Sequence, residues 1–524
     1  MKRRTFLKQS IPMATVLPGV LSGYSVKALV GNSLLHSAFL PALDTDHVLV
    51  IIQLTGGNDG LNTVIPVSNY SSYYNARNNI AIPENRVLQL NGVQGTGLHP
   101  SMTGMQALYN EGKMALVQAV GYPSPSFSHF RATDIWMSGA DSNMVLNTGW
   151  AGRYLNNEFP NFPNGYPTTE MPDPLAIQIG AVTTLTCQGP VVNMGMSITD
   201  PNSFYNLVNG VQDPTTNDPM GFELGYIRDI ARQTNRYAQR IKNAATSVPQ
   251  QVTYPSNNSL ADQLKVVARL IKGGLKTRIY MVSYGSFDTH SLQVNSIDTT
   301  TGTHANLLGN VSNAIKAFMD DLKFLGADDR VIGMTYSEFG RRIKSNASGG
   351  TDHGAAAPMF LFGKNIVGGV TGANPTLPSN ATVNDNIPFQ YDFRSVYASV
   401  LQQWFCVNQT DLQAIILNNY QTLNLAKSNG CTTGVQNGGD NLVYNYPNPF
   451  TQKTTISFTT KGGHTLIQII DSLGQVLVNL VDRDYATAGT YTVHFDSGTL
   501  ASGVYYVRLQ NGPMQQVKSM LKVR

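Results

Sequence analysis

The sequence predicts an α/β protein, a mostly parallel sheet sandwiched by helices, followed by a small C-terminal antiparallel β-sandwich. Three observations predict it. Continuous apolar runs at 47–54 (HVLVIIQL), 113–120 (KMALVQAV), 276–284 (KTRIYMVSY) and 329–336 (DRVIGMTY) read as strands buried on both faces. Between the last two, Leu308, Val311, Ile315, Phe318, Leu322 and Leu325 recur at helical spacing, which makes a βαβ unit and hence parallel strands. Beyond a Gly- and Asn-rich stretch at 431–443, short alternating runs separated by turn residues replace this pattern. A chain of 524 residues also exceeds what one core supports, so a large and a small domain are expected.

From the N-terminus, residues 1–28 have a basic start, a short apolar stretch broken by Pro12 and Pro18, and a small-residue end. This reads as an export signal and not a membrane span. Arg3 and Arg4 followed by Thr5-Phe6-Leu7-Lys8 resemble a twin-arginine motif, which implies passage of a folded protein through the Tat machinery; an ordinary Sec signal is the other reading. No other segment approaches the ~18 continuous apolar residues of a membrane helix, so no transmembrane segment is expected. The formal charge is +4, yet Lys2, Arg3, Arg4, Lys8 and Lys27 alone carry +5, leaving −1 for the rest (4 − 5). A basic nucleic-acid-binding surface is therefore disfavoured.

Within the body, residues 45–430, the segments after the four strands hold the chemistry: TGGNDGLN, GYPSPSFSHFRATDIW, GSFDTH, and SEFGRR with GGTDHG close behind. Charged residues make up only 13% of the chain, about half the usual ~25%, so the crowding of charge at 337–354 stands out. In a parallel sheet these loops leave one edge, where ligands bind. Asp59, Ser128, His129, Asp288, His290, Glu338, Asp352 and His353 can converge there. Carboxylates and imidazoles without cysteine suit a divalent ion: zinc, manganese, magnesium or calcium. Four acids in one crevice would otherwise raise one another's pKa values, and a metal pair about 3.5–4 Å apart would resolve the repulsion.

The motifs IIQLTGGNDGLNT, SFSHFRATDIW, SFDTH and SEFGRRI with GGTDHG resemble the bacterial domain-of-unknown-function family 1501, a branch of the alkaline phosphatase and sulfatase superfamily. The resemblance covers nearly the whole body. It implies a metal-binding Asp59 and a nucleophile at Ser128 with Ser126 in reserve, and His129 and Arg341 count with them as catalytic candidates. Asp288, His290 and His353 would serve one metal, Glu338 and Asp59 another, and Asp352 either. Arg341 and Arg342 would contact an anionic substrate or pair with surface acids. No cysteine stands in a C-x-P-S-R motif, which argues against a formylglycine sulfatase. Glu338 is followed by Phe339 where the superfamily has Asp-His, which leaves a single-metal or inactive site open. The plainer readings are a turn for Asp59, helix capping for Ser126 and Ser128, and structural roles for His99 and His304.

Three cysteines are too few for a disulfide framework; each reads as a small buried residue, with a Cys406–Cys431 bridge also compatible. In the tail, 444–524, Tyr446-Pro447-Asn448-Pro449-Phe450, Asp471-Ser472-Leu473-Gly474-Gln475 and Ala501-Ser502-Gly503-Val504-Tyr505-Tyr506 resemble the type A sorting domain of the type IX secretion system of Bacteroidetes. That implies delivery across the periplasm to the cell surface or beyond. The expected function is an exported metal-dependent hydrolase of phosphate or sulfate esters, on a small-molecule or glycan substrate. A catalytically silent surface protein that binds glycans or partners is the alternative.

Overall fold

The computed structural model describes residues 46–199, 237–428, 431, 443–446, 448, 450–471, 475–512 and 514–523. The leader and most of the 431–443 linker lie outside the described residues.

The body is built on a nine-stranded sheet. Its strands are β1 (Val48–Leu54), β2 (Met114–Gly121), β3 (Ala176–Ile179), β4 (Gly195–Ile198), β5 (Ile279–Tyr284), β6 (Val331–Tyr336), β7 (Ala357–Gly363) and β8 (Gly369–Thr371), with Tyr391–Asp392 pairing onto β2. The order is β8-β2-β7-β6-β1-β5-β3-β4. All pairings are parallel except those of β7, which runs antiparallel to both β2 and β6. Two reversals restore direction, so β1, β2, β5 and β6, the four strands expected from the apolar runs, share one carboxyl edge.

The apolar runs are continuous because both faces are covered. In β1, Val48, Val50 and Ile52 join a core with Leu264 and Ile315, while Leu49 and Ile51 join the opposite core with Trp136 and Trp404. Helices α1 (Tyr70–Arg77), α2 (Thr103–Asn110), α3 (His129–Ser138), α4 (Trp150–Glu158), α5 (Ser259–Lys272), α6 (Thr303–Phe324), α7 (Phe393–Gln403) and α8 (Gln409–Ile416) complete the body. The first core packs α2, α5 and α6, and the second packs α3, α4, α7 and α8. The six periodic residues from Leu308 to Leu325 are all buried in the first core, as the βαβ reading expects. Among the described residues no helix is long and apolar enough to cross a membrane.

The tail strands β9 (Val443–Tyr446), β10 (Lys453–Thr460), β11 (Gly463–Ile470), β12 (Val476–Tyr485), β13 (Gly489–Asp496), β14 (Gly503–Asn511) and β15 (Met514–Lys522) form two antiparallel sheets, β9-β10-β13 and β12-β11-β14-β15. Ile456, Phe458, Ile467, Ile469, Val507, Leu509 and Met520 fill the space between them. Of the cysteines, Cys187 is buried and free, while Cys406 and Cys431 form a disulfide, so for that pair the bridge and not the buried-thiol reading holds.

Candidate metal centre

The carboxyl edge brings loops from β1, β2, β5 and β6 together, and close backbone contact fixes their positions. Gly56, at φ 117°, has no room for a side chain, since a Cβ there would lie 2.4 Å from the Asp288 backbone nitrogen. Gly350 is pressed as closely against the backbone of Thr289 and His290. Ser286 (φ 76°) and Leu292 (φ 49°) take left-handed backbone on either side of Asp288 and His290. Such strain collects where surrounding structure holds a functional loop in place.

His129 opens α3, Asp288 and His290 follow β5, and His353 pairs with Arg341 in a two-residue antiparallel ladder after β6. Each imidazole is held through Nδ1 by an oxygen that only accepts. His129 Nδ1 lies 2.9 Å from Glu338 Oε1, His290 Nδ1 3.2 Å from Asp352 Oδ1, and His353 Nδ1 2.8 Å from the Phe127 carbonyl. In the neutral, ligating form in which each Nδ1 donates to that oxygen, each Nε2 keeps a lone pair. All three Nε2 atoms turn toward Asp288: His290 at 3.2 Å and His353 at 3.3 Å from Oδ1, His129 at 3.5 Å from Oδ2. The His290 and His353 Nε2 atoms are 2.9 Å apart. Ligand atoms of His129, Asp288 and His353 lie within 4.8 Å of one another.

These spacings fit an ion. Bonds of ~2.1 Å meeting at tetrahedral angles put ligand atoms about 3.4 Å apart, and imidazoles backed by carboxylates or carbonyls are the usual outer support of a metal site. Two facing lone pairs 2.9 Å apart repel unless a cation or proton lies between them. Burial pushes the Asp288 carboxyl up, but the hydrogen bond and the charge of Arg341 outweigh it and hold the group below the usual range. Asp352 is also held low, first by the Asn346 amide. Burial depresses the His353 pKa, which favours the neutral, ligating form.

Several expected residues take other positions. Asp59 is only 1% exposed and sits beneath the cluster, where its carboxylate receives Arg77 Nη1 at 2.8 and 2.9 Å and the Gln293 amide at 2.6 Å. Its expected counter-charge, a metal ion, is thus a guanidinium. Arg341 is fully buried, donating to the carbonyls of Gly56, Gly57, Phe287 and Thr351 and to Asp288 Oδ1, so it has no face open to a substrate. Glu338 and Asp352 stand behind His129 and His290 and not beside Asp288; Glu338 Oε1 also accepts the Gly56 N–H at 2.8 Å.

Ser128 is the exposed N-cap of α3 and its hydroxyl makes no capping bond. The Ser126 hydroxyl instead accepts the Ser128 N–H at 3.3 Å. His99 and His304 are buried side by side, with His304 bonded to Asn58 and packed against Phe287. Sequence reasoning missed Arg77, Gln293 and the Phe127 carbonyl. Arg77 ends an otherwise unremarkable polar helix, and a backbone carbonyl has no signature in a sequence.

Residues 218–415 match the family described as "Protein of unknown function (DUF1501)", and residues 445–523 match the "Secretion system C-terminal sorting domain". The first match lies within the body and the second spans the tail, and the sorting-domain match indicates secretion to the cell surface or outside. No curated protein matches the chain. Similar solved structures include the PsFucS1 sulfatase from Pseudoalteromonas sp. (10% identity, 89% of this chain and 87% of that one, TM-score 0.34). Another is a sulfatase described with the glycosaminoglycan metabolism of Bacteroides thetaiotaomicron (10%, 83% and 89%, 0.33). A third is an alkaline phosphatase superfamily protein from Vibrio parahaemolyticus (10%, 91% and 82%, 0.31).

Proposed function

We propose that this chain is an exported, metal-dependent hydrolase of phosphate or sulfate esters, with Ser128 as nucleophile. One observation carries the reading: three imidazole Nε2 atoms, each fixed by an acceptor behind it, converge on Asp288. Asp288, His129, His290 and His353 would hold the ion, and this imidazole-rich set suits zinc or manganese better than magnesium or calcium. A divalent ion bound there supplies a Lewis acid for charge that develops on an ester oxygen.

The chain's own groups supply the rest. Ser128, exposed and free of a capping bond, is available for attack. It stands at the first turn of a ten-residue helix, whose unpaired N–H groups favour an anionic ester group. Glu338 and Asp352 orient His129 and His290, and Arg341 keeps Asp288 ionised. Export through the Tat or Sec machinery and then the type IX system would place the substrate, a small ester or a glycan ester, outside the cell.

A second reading, a catalytically silent surface protein that binds glycans or partners, is favoured by one observation: Asp59 is closed off by Arg77. The test is metal content after dialysis together with a screen of aryl phosphates and aryl sulfates. Retained ion and turnover lost in both Asp288→Ala/His290→Ala and Ser128→Ala support the hydrolase. Retained ion with no turnover of any ester moves the reading to the silent protein, and ion retained in the Asp288→Ala/His290→Ala variant removes the site.

A further inference from the structure

We infer that the site takes one divalent cation per chain, because Arg77 fills with its guanidinium the place a second ion would need beside Asp59. The inference rests on the metal-dependent reading and narrows it. Four carboxylates lie at this edge, and each already has its partners. Asp59 has Arg77 and Gln293; Glu338 has the Gly56 N–H and His129; Asp352 has Asn346 and His290. Asp288, paired with Arg341 on Oδ1, alone faces a set of free nitrogen lone pairs.

Arg77 is no loose surface cation. It is fully buried, with Nε on the Ile343 carbonyl at 3.1 Å, Nη2 on the carbonyls of Arg342 (2.7 Å) and Ile343 (2.9 Å), and Nη1 on Asp59 and Asn62. An ion could reach Asp59 only by expelling this side chain, which would strand three carbonyl contacts, or by lying beside it, which would bury two cations together. The crowding of acids that suggests a metal pair from sequence is thus relieved by two arginines of the chain, Arg77 at Asp59 and Arg341 at Asp288.

The pair is also wired to the ligand loops. Gln293 donates to Asp59 Oδ2 at 2.6 Å, and its Oε1 accepts the hydroxyls of Thr289 (3.0 Å) and Thr351 (2.9 Å). Thr289 sits between Asp288 and His290, and Thr351 immediately precedes Asp352 and His353. Asp59 and Arg77 therefore act as a neutral buttress beneath a mononuclear centre, positioning its ligands without touching the ion.

The test counts ions on the full chain, dialysed against metal-free buffer and reconstituted with zinc or manganese, by elemental analysis and calorimetric titration. One equivalent in the unaltered protein is the expected result, and two would overturn the inference. No binding at all would overturn the metal-dependent reading itself, and this inference with it. The double variant Asp59→Asn/Arg77→Gln removes both charges together and keeps a polar side chain at each position, although Gln cannot reach every carbonyl that Arg77 holds. It should keep its single equivalent with no more than about a tenfold loss of affinity, the low end for changes to outer support. Loss of that equivalent in a variant with unchanged circular dichroism would make Asp59 a ligand and overturn the inference. If the variant does not fold, the count on the unaltered chain still decides.

Discussion

Arg341 donates to Asp288 Oδ1 at 2.8 Å from a fully buried position while the same guanidinium holds the carbonyls of Gly56, Gly57, Phe287 and Thr351. One side chain thus joins the loops after β1 and β5 to the segment that carries His353. Arg341→Met should leave those carbonyls without a donor, at about 1–3 kcal/mol for each one that water does not reach, and lower stability by about 3 kcal/mol or more. Arg341→Lys should recover little, because one ammonium cannot span the fork geometry. Urea unfolding midpoints of the three proteins check this; equal midpoints for Arg341→Lys and the parent would mean the fork is unimportant.

Burial pushes the His99 pKa down to about 3 and the His304 pKa down to about 4, while the Asp59 carboxylate opposes the shift in both by a smaller amount. Both are neutral in the fold and take up protons at about 6.5 once unfolded. The unfolded state binds more protons in that window, so stability is fully present above pH ~6.5 and is lost as pH falls toward 4 and 3. For His304 the drop from 6.5 to about 4 corresponds to about 3 kcal/mol. Thermal melts from pH 7.5 to 4 should show a falling midpoint, and His304→Gln should flatten the fall. An unchanged slope in that variant would assign the acid sensitivity elsewhere.

The two-sided burial of β1 and the periodicity of α6 are written in residue types, so the strands and the shared edge were legible. Antiparallel β7 between β2 and β6 was not, because a buried strand reads the same in either direction. In the site, Asp288, His290 and His353 could be read from their loops, since spacing after a strand end fixes which side chains share an edge. What each acid pairs with could not. Asp59 and Arg77 are 18 residues apart and meet only because α1 folds back under the edge, and Gln293 reaches Asp59 across 234 residues. Composition suggested that four acids need cations, and only packing reveals that two of those cations are arginines.

Cys406 and Cys431 are separated by 25 residues, and their disulfide ties the loop after α7 to the end of the body. Closing a loop of that length removes unfolded-state entropy worth about 3.5 kcal/mol. The double variant Cys406→Ser/Cys431→Ser should therefore unfold at lower urea by about that free energy, and reductant should move the parent to the same midpoint while leaving the variant unmoved. A reductant effect on the variant would point to something other than this bond. The bond also fits an oxidising compartment outside the cytoplasm.

Glu338 is 2% exposed, and its Oε1 accepts both the Gly56 N–H and His129 Nδ1, which turns His129 Nε2 toward Asp288. Glu338→Gln can keep the carbonyl oxygen that accepts these bonds but removes the charge that makes the imidazole a stronger donor. Metal affinity should fall about 10- to 100-fold with little change in unfolding midpoint, as for other acids standing behind metal-ligating histidines. Competition with a chelator measures it. The decisive comparison is a double-mutant cycle: if Glu338 acts through His129, Glu338→Gln/His129→Ala should bind no worse than His129→Ala alone. Additive losses would mean that Glu338 meets the ion itself, returning it to the ligand role expected from its place after β6.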